Sequence, residues 1–133
     1  MIVETLDNTI GSDRHVSGAG WQSRRLLLHH HGLGYSFHDT VVEEGTEQHL
    51  EYKNHIEANY CIEGEGEVVD VATGRAHPVR PGMVYVLDKN DAHILRAVRG
   101  RLRLLCIFTP ALSGTEKHDA DGSYAALAVA QAE

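Results

Sequence analysis

Short apolar runs recur along this chain at intervals of roughly ten residues, and turn-forming residues separate them. Leu26-Leu27-Leu28, Tyr35-Ser36-Phe37 leading to Val41-Val42, Tyr60-Cys61-Ile62, Glu67 to Val71, Val84 to Leu87, Ile94 to Val98 and Leu102 to Phe108 keep this rhythm. The spacing predicts an all-β chain whose antiparallel strands close into a sandwich or barrel. Gly64-Glu65-Gly66, Ala72-Thr73-Gly74 and Pro81-Gly82 are the expected tight turns. After Pro110 the pattern loosens, so residues 110–133 read as a lid loop and tail, with a short helical or flexible end from Tyr124 to Ala132. No repeat or linker divides the 133 residues. A chain of this length buries about two-thirds of its unfolded surface as one domain, here 1–133.

With 19 Asp and Glu against 12 Lys and Arg, the net charge is -7. That balance argues against nucleic acid or an anionic membrane as partner, although a local Arg can still hold a small anionic substrate. The start, Met1-Ile2-Val3-Glu4-Thr5, has neither a basic nor a long apolar stretch, and a cytoplasmic address is expected. Cys61 and Cys106 sit far apart in apolar runs and read as buried free thiols rather than a disulfide.

Chemistry concentrates on two of the strand-like runs. One carries His55 and Glu57, which share a strand face; the other begins after Pro81-Gly82 and carries Tyr85, Leu87 and His93. The intervals from Glu57 to Gly64 and from Gly82 to His93 resemble the skeleton of the paired cupin motifs, in which neighbouring strands of a small barrel point ligands at one metal. This implies a single cupin-type antiparallel β-barrel, jelly-roll-like in layout. Usual cupins carry a His-x-His pair before the Glu, but Lys53 and Glu51 stand at those positions here. A metal would need Glu57, His93 and a third inward group, and Tyr85 is the best candidate. Phenolate is a hard oxygen donor once a cation depresses its pKa, which suits iron, while zinc or manganese would also be accepted. A purely structural reading stays open at this point, with Glu57 capping a hairpin, Tyr85 in the core and His93 in a loop.

Trp21-Gln22-Ser23-Arg24-Arg25 puts an aromatic ring and a guanidinium before the first strong run, where Arg could hold a carboxylate in a two-pronged grip. The alternative is that Trp21 plugs a barrel end and the arginines coat the surface. His38 and Thr40 share one face of the next strand. His29-His30-His31 reads as an exposed turn, and His15, His49 and His77 as solvated groups.

Taken together, these residues resemble one family of small cupin enzymes, the ectoine synthases. The resemblance rests on Asp13-Arg14, Trp21-x-Ser23-x-Arg25, Ser36-Phe37-His38-x-Thr40, Glu44-Gly45-Thr46-Glu47, Tyr52-Lys53-x-His55-x-Glu57-Ala58, Tyr60 to Gly66, Pro81-Gly82-x-x-Tyr85-x-Leu87-Asp88, Asp91-x-His93-x-x-Arg96, Cys106-x-Phe108, Gly114-x-Glu116-x-His118 and Asp121-Gly122-Ser123-Tyr124. It implies a head-to-tail homodimer that closes N-γ-acetyl-L-2,4-diaminobutyrate into the compatible solute ectoine, with loss of water, at an iron (Fe2+) site. Glu57, Tyr85 and His93 match the metal positions. Trp21, Arg25, His38, Thr40, Cys106, Phe108, Glu116 and His118 match positions that line or close the pocket, and Tyr52 and His55 match residues implicated in activity. This chain departs from the pattern at Asn59, where an apolar residue is usual, at Asn54, where a second histidine is common, and at Glu51.

The implied chemistry needs groups of these kinds. An amine must attack an unactivated amide, so a Lewis acid on the carbonyl oxygen, a tight fold of the substrate and proton transfer at both nitrogen and oxygen are required. Proton transfer falls to the Tyr52/His55 and Glu116/His118 groups, carboxylate binding to Arg25, and water exclusion to Trp21 and Phe108. Two other classes fit the same residues: an iron-dependent cupin enzyme acting on a related acylated amino acid, and a non-catalytic small-molecule-binding module.

Overall fold

The structure is a computed structural model and describes residues 1–126. A short helix, α1 (Leu6–Thr9), precedes eight strands: β1 (His15–Gly18), β2 (Trp21–Leu27), β3 (Ser36–Val42), β4 (Glu47–Leu50), β5 (Ile56–Asp70), β6 (Ala76–Val79), β7 (Val84–Leu87) and β8 (His93–Thr109). Every pairing is antiparallel, in the order β1-β2-β3-β8-β5-β6, with β4 added to β8 and β7 to β5. Among the described residues no helix is long and apolar enough to cross a membrane.

The expected strand at Val84 to Leu87 is present with those bounds. Four other expected strands merge into two. Tyr60-Cys61-Ile62 and Glu67 to Val71 fall on the single strand β5 up to Asp70, and Ile94 to Val98 and Leu102 to Phe108 on β8. Gly64-Glu65-Gly66 is therefore not a tight turn. The reason lies in the phase of the burial pattern. On β5 the inward residues are Glu57, Asn59 and Cys61, then Val68; on β8 they are His93, Leu95 and Ala97, then Leu102, Leu104, Cys106 and Phe108. The two-residue period slips by one on each strand, which marks a bulge and a bend rather than a chain reversal. The β5–β8 register shifts at these points, between Cys61 and Gly66. Gly66 lies here with its α-carbon so near the Arg96 carbonyl oxygen that a Cβ would run into it.

Because of the bends, the first half of β5 pairs with β7 and the last part of β8, while its second half pairs with β6 and the start of β8. Two sheet halves thus face each other across a core of Val42, Leu50, Cys61, Val68, Val79, Leu95, Leu102 and Leu104. On the outer side, Arg24 and Arg103 both grip the Asp39 carboxylate at 2.6 Å and tie β2, β3 and β8 together.

Residues after β8 form a strap over one end of the barrel. Leu112 is fully buried, its N–H donating to Ser36 Oγ and its carbonyl accepting from His29 N. Further along, Glu51 N donates to Gly122 O, Lys53 N to Ser123 Oγ and Asn54 Nδ2 to Tyr124 O. Tyr124 to Ala126 is non-helical, and the rest of the expected C-terminal helix lies outside the described residues. Replacing Gly66 by Ala should lower unfolding free energy by about 1–3 kcal/mol, since neither backbone can retreat without breaking the ladder. Urea melts would measure this, and a loss under about 0.5 kcal/mol would mean that β5 is not held against β8 there.

Candidate active site

Inward residues from β2, β3, β4, β5, β7 and β8 surround a narrow cavity closed by the strap. Its walls are Trp21, Ser23, His38, Thr40, Val42, Gln48, Leu50, Tyr52, Glu57, Asn59, Tyr85, Leu95, Leu104, Cys106 and Phe108, with His118 and Tyr124 contributed by the strap. The volume is about 30 Å³. That accommodates a water-sized group, so a larger ligand requires side chains of the lining to move.

Register explains the carboxylate end. Glu57 lies opposite Leu87 and Phe108, while Asn59 lies opposite Tyr85 and Cys106, so Glu57, Asn59, Tyr85 and Cys106 meet on one inner face. Burial raises the Glu57 carboxyl to about 7, against smaller opposing effects of the Asn59 and Cys106 side chains. Tyr85 is pushed well above its usual value by burial and then by the charge of Glu57. Cys106 is likewise pushed up and stays a thiol, and both cysteines are free and buried as expected. His93 is off the cavity wall. With Tyr85 it lines a neighbouring groove that also holds Asp70, His77, Asp88 and Asp91, so Tyr85 stands between the two spaces.

Hydrogen bonding bears on whether a metal ion suits this trio. His93 Nδ1 lies 2.9 Å from the Asp91 carbonyl, which can only accept, so Nδ1 carries the proton and Nε2 is a bare acceptor. That Nε2 is buried without a partner among the described residues. A cation would satisfy Nε2 and offset the burial of the Glu57 and Tyr85 anions, so the residues fit. Among the described residues no three His, Cys, Asp or Glu side chains cluster for a metal, so a site built on Glu57 and His93 would need the Tyr85 phenol as its third donor.

The expected proton-transfer groups are regrouped by the strap. Tyr52 Oη lies 3.0 Å from His118 Nε2. Burial, then Glu57, holds the Tyr52 phenol well above 10, while burial and Arg25 lower His118 to about 4. Both are neutral near pH 7. Glu116 instead caps its own turn, accepting from Ser113 N at 2.7 Å and Gly114 N at 2.8 Å. His55 is off the cavity wall, edge-on to Phe108 and Tyr124, with Nδ1 unpartnered among the described residues.

Arg25 is fully buried rather than a surface coat. Its donors reach Ser23 Oγ at 3.2 Å, Gly114 O at 3.0 Å and Glu116 O at 2.7 Å, and its face lies 5.6 Å from the Tyr124 ring centre. In this closed form the guanidinium latches the strap. His38 is neutral, with burial and Arg25 holding it well below 6.5 and its two nitrogens bonded to Ser23 and Ser36. Thr40 and Cys106 touch each other at 3.5 Å.

Tyr124 ends the Asp121 to Tyr124 motif, and sequence alone assigns it no role. It stacks on both Tyr52 and His118, at 5.2 and 4.6 Å between ring centres. Only its place in that motif could have signalled a position at the cavity. Trp21, the one tryptophan of the chain, packs 5.0 Å from His118 on the other side.

Seating His118 selects its neutral form. A displaced strap would carry an ordinary imidazole, so strap seating is fully favoured above about pH 6.5 and is lost as pH falls through about 4. Trp21 emission should therefore titrate across that window, and a flat profile, or the same titration in a His118→Gln variant, would contradict this coupling.

Comparison with known proteins identifies the family. The family described as ectoine synthase matches residues 1–128. The L-ectoine synthase of Desulfatibacillum aliphaticivorans is 53% identical over 129 residues, covering 96% of this chain and 98% of that protein. That of Halalkalibacterium halodurans is 48% identical over 124 residues, 93% of this chain and 95% of that protein. The crystal structure of ectoine synthase from P. lautus superposes with a TM-score of 0.85 at 47% identity, over 92% of this chain and 87% of that one. KdgF from Halomonas sp., at 16% identity and a TM-score of 0.62 over 72% of this chain and 84% of that one, shares the fold alone. With the matched residues spanning the barrel, the cavity and the strap, this chain belongs to the ectoine synthase family.

Proposed function

We propose that this protein is a hydro-lyase that closes N-γ-acetyl-L-2,4-diaminobutyrate to the compatible solute ectoine with loss of water. The observation that carries the reading is the cavity beneath the strap, lined by motif residues of a chain that belongs to this family along its length. Glu57, Tyr85 and His93 would hold iron(II), with zinc or manganese as chemically acceptable substitutes. That ion, when bound, supplies Lewis acidity toward the amide oxygen.

The chain's own groups do the rest. Trp21, Phe108 and Tyr124 exclude water and fold the flexible substrate so that its α-amine meets its own acetamide carbon. Enclosure disfavours the ammonium form, so neutral His118 can take its proton, while the Tyr52 hydroxyl, protonated because it is buried, can give one to the departing oxygen. His55 and Glu116 support this pair, one against Tyr124 and the other at the turn beside Arg25. His38, Thr40 and Cys106 line the wall as neutral polar contacts.

Two exposed cell-level readings go with this. Buried free thiols suit a reducing cytoplasm, and the product class suits a role in osmotic stress. The head-to-tail homodimer that the resemblance implies has a surface available for burial, the apolar outer face where Tyr60, Ile62, Val84, Val86 and Ile107 are exposed side by side.

Incubating the ferrous protein anaerobically with the acetylated diamino acid should yield the ring product, and its absence by chromatography would refute the reading. Alanine at Glu57, Tyr85 or His93 should each remove stoichiometric iron from a folded protein; full iron in all three variants would show that the ion is held elsewhere. Arg25→Ala should lower kcat/KM about ten- to a hundred-fold, the worth of lost charge-assisted hydrogen bonds, chiefly through KM. If Arg25 acts through the strap, Trp21 emission changes as well; an unchanged spectrum with a raised KM would assign it to the substrate carboxylate alone.

A further inference from the structure

The Asn59 side chain is buried at 1% exposure on the cavity wall, two residues from Glu57 on the same inner face of β5. Its Oδ1 accepts the Cys106 thiol at 3.0 Å, which fixes the rotation of the amide and leaves Nδ2 as the free end. That Nδ2 makes no hydrogen bond among the described residues, although it lies close enough to the Glu57 carboxyl to lower its pKa. A buried amide donor left unpaired weakens the fold, and at a cavity wall the natural account is an acceptor brought by the ligand.

Position decides which acceptor. The neighbouring carboxylate is Glu57, so an anionic ligand oxygen would be repelled while a neutral carbonyl is welcome. On the functional reading above, on which this inference rests, the substrate has one neutral carbonyl, that of its acetamide. We propose that Asn59 donates its free amide N–H to the acetamide oxygen of the bound substrate and stabilises the charge that develops there as the ring closes. The new bond joins the α-nitrogen to the acetamide carbon, and the carbonyl π pair moves onto the oxygen facing Asn59. That oxygen takes one proton lost by the attacking amine and leaves with a second from nitrogen as water, and a carbon–nitrogen double bond remains. Asn59 is then a catalytic residue by contact, and its contribution grows toward the transition state.

The chemistry gives an asymmetric expectation, because the ring product has lost that oxygen. Asn59→Leu, close in shape and without a donor, should lower kcat about a hundred-fold while KM changes less than about three-fold. Iron content, melting temperature and the dissociation constant for ectoine should stay as in the wild-type holoenzyme. With the thioacetyl analogue, whose sulfur accepts hydrogen bonds weakly, the ratio of wild-type to variant kcat should shrink. An unchanged kcat would overturn the proposal. A fall in kcat that tracks lost iron, or equal weakening of product binding, would also overturn it and make Asn59 a support for Glu57 or for the wall. Should Asn59→Leu fold poorly, Asn59→Gln, which keeps the amide but moves it by one methylene, must show the same loss of kcat at full iron content. Wild-type protein that makes no ring product would sink the functional reading itself, a result distinct from an active wild type with an equally active Asn59→Leu.

Discussion

β5 and β8 pair with each other along almost their whole lengths, and both bend, so a single ladder serves two sheet halves at once. The consequence for the site is geometric. Glu57 and Asn59 stand on the first half of β5, His93 at the start of β8, and Cys106 and Phe108 near its end. Straight strands would spread these groups over some tens of ångströms at about 3.3 Å per residue. Bent across the barrel, the same strands return them to one interior. The slip of the inward phase on each strand is the local cost of that geometry, and Gly66 is the residue that lets the two backbones pass closely enough.

Legibility in the sequence follows from the range of each interaction. Strand content, the bounds of β7 and the two buried thiols were readable because each is written in a few neighbouring residues. Glycines between apolar runs have two physical uses, reversing the chain and letting a strand bulge, and Gly64-Glu65-Gly66 reads as the commoner first use. Only the change of parity, from Cys61 to Val68 and from Ala97 to Leu102, distinguishes the second. The short strands β1, β4 and β6 exist because their partners exist, and their own residues say little. At the site, Glu57, Tyr85, Phe108 and Cys106 were legible from spacing and motif, whereas the pairing of Tyr52 with His118 across the sequence was not. Nor was the latch, since nothing local to Arg25 points to carbonyls at Gly114 and Glu116.

The strap changes what a buried arginine means here. Guanidinium is never neutralised in proteins, so burying Arg25 fully requires acceptors for its fork and a polarisable face beside it. Strap carbonyls supply the acceptors and Tyr124 supplies the face. Removing the strap would leave a desolvated cation with Ser23 alone among these acceptors, and the barrel end would have to fill with water or with an anion. The same residue can therefore hold the strap when the cavity is closed and meet an incoming carboxylate when it is open. On the proposed function, these would be successive uses of one set of donors.

A closed strap also explains why so many titratable side chains inside the barrel stay neutral. His38, His118, Tyr52 and Cys106 are all pushed toward their uncharged forms, and burial is the first cause in each case. Neutral donors and acceptors in a buried space respond little to a neutral amide but strongly to charge that appears on it. Glu57 follows the same rule, its carboxyl raised by burial to about 7, and it lies beside Asn59, whose Nδ2 makes no hydrogen bond among the described residues. On the proposed function, a cation and the substrate carbonyl would meet on this inner face of β5, with Arg25 holding the strap nearby.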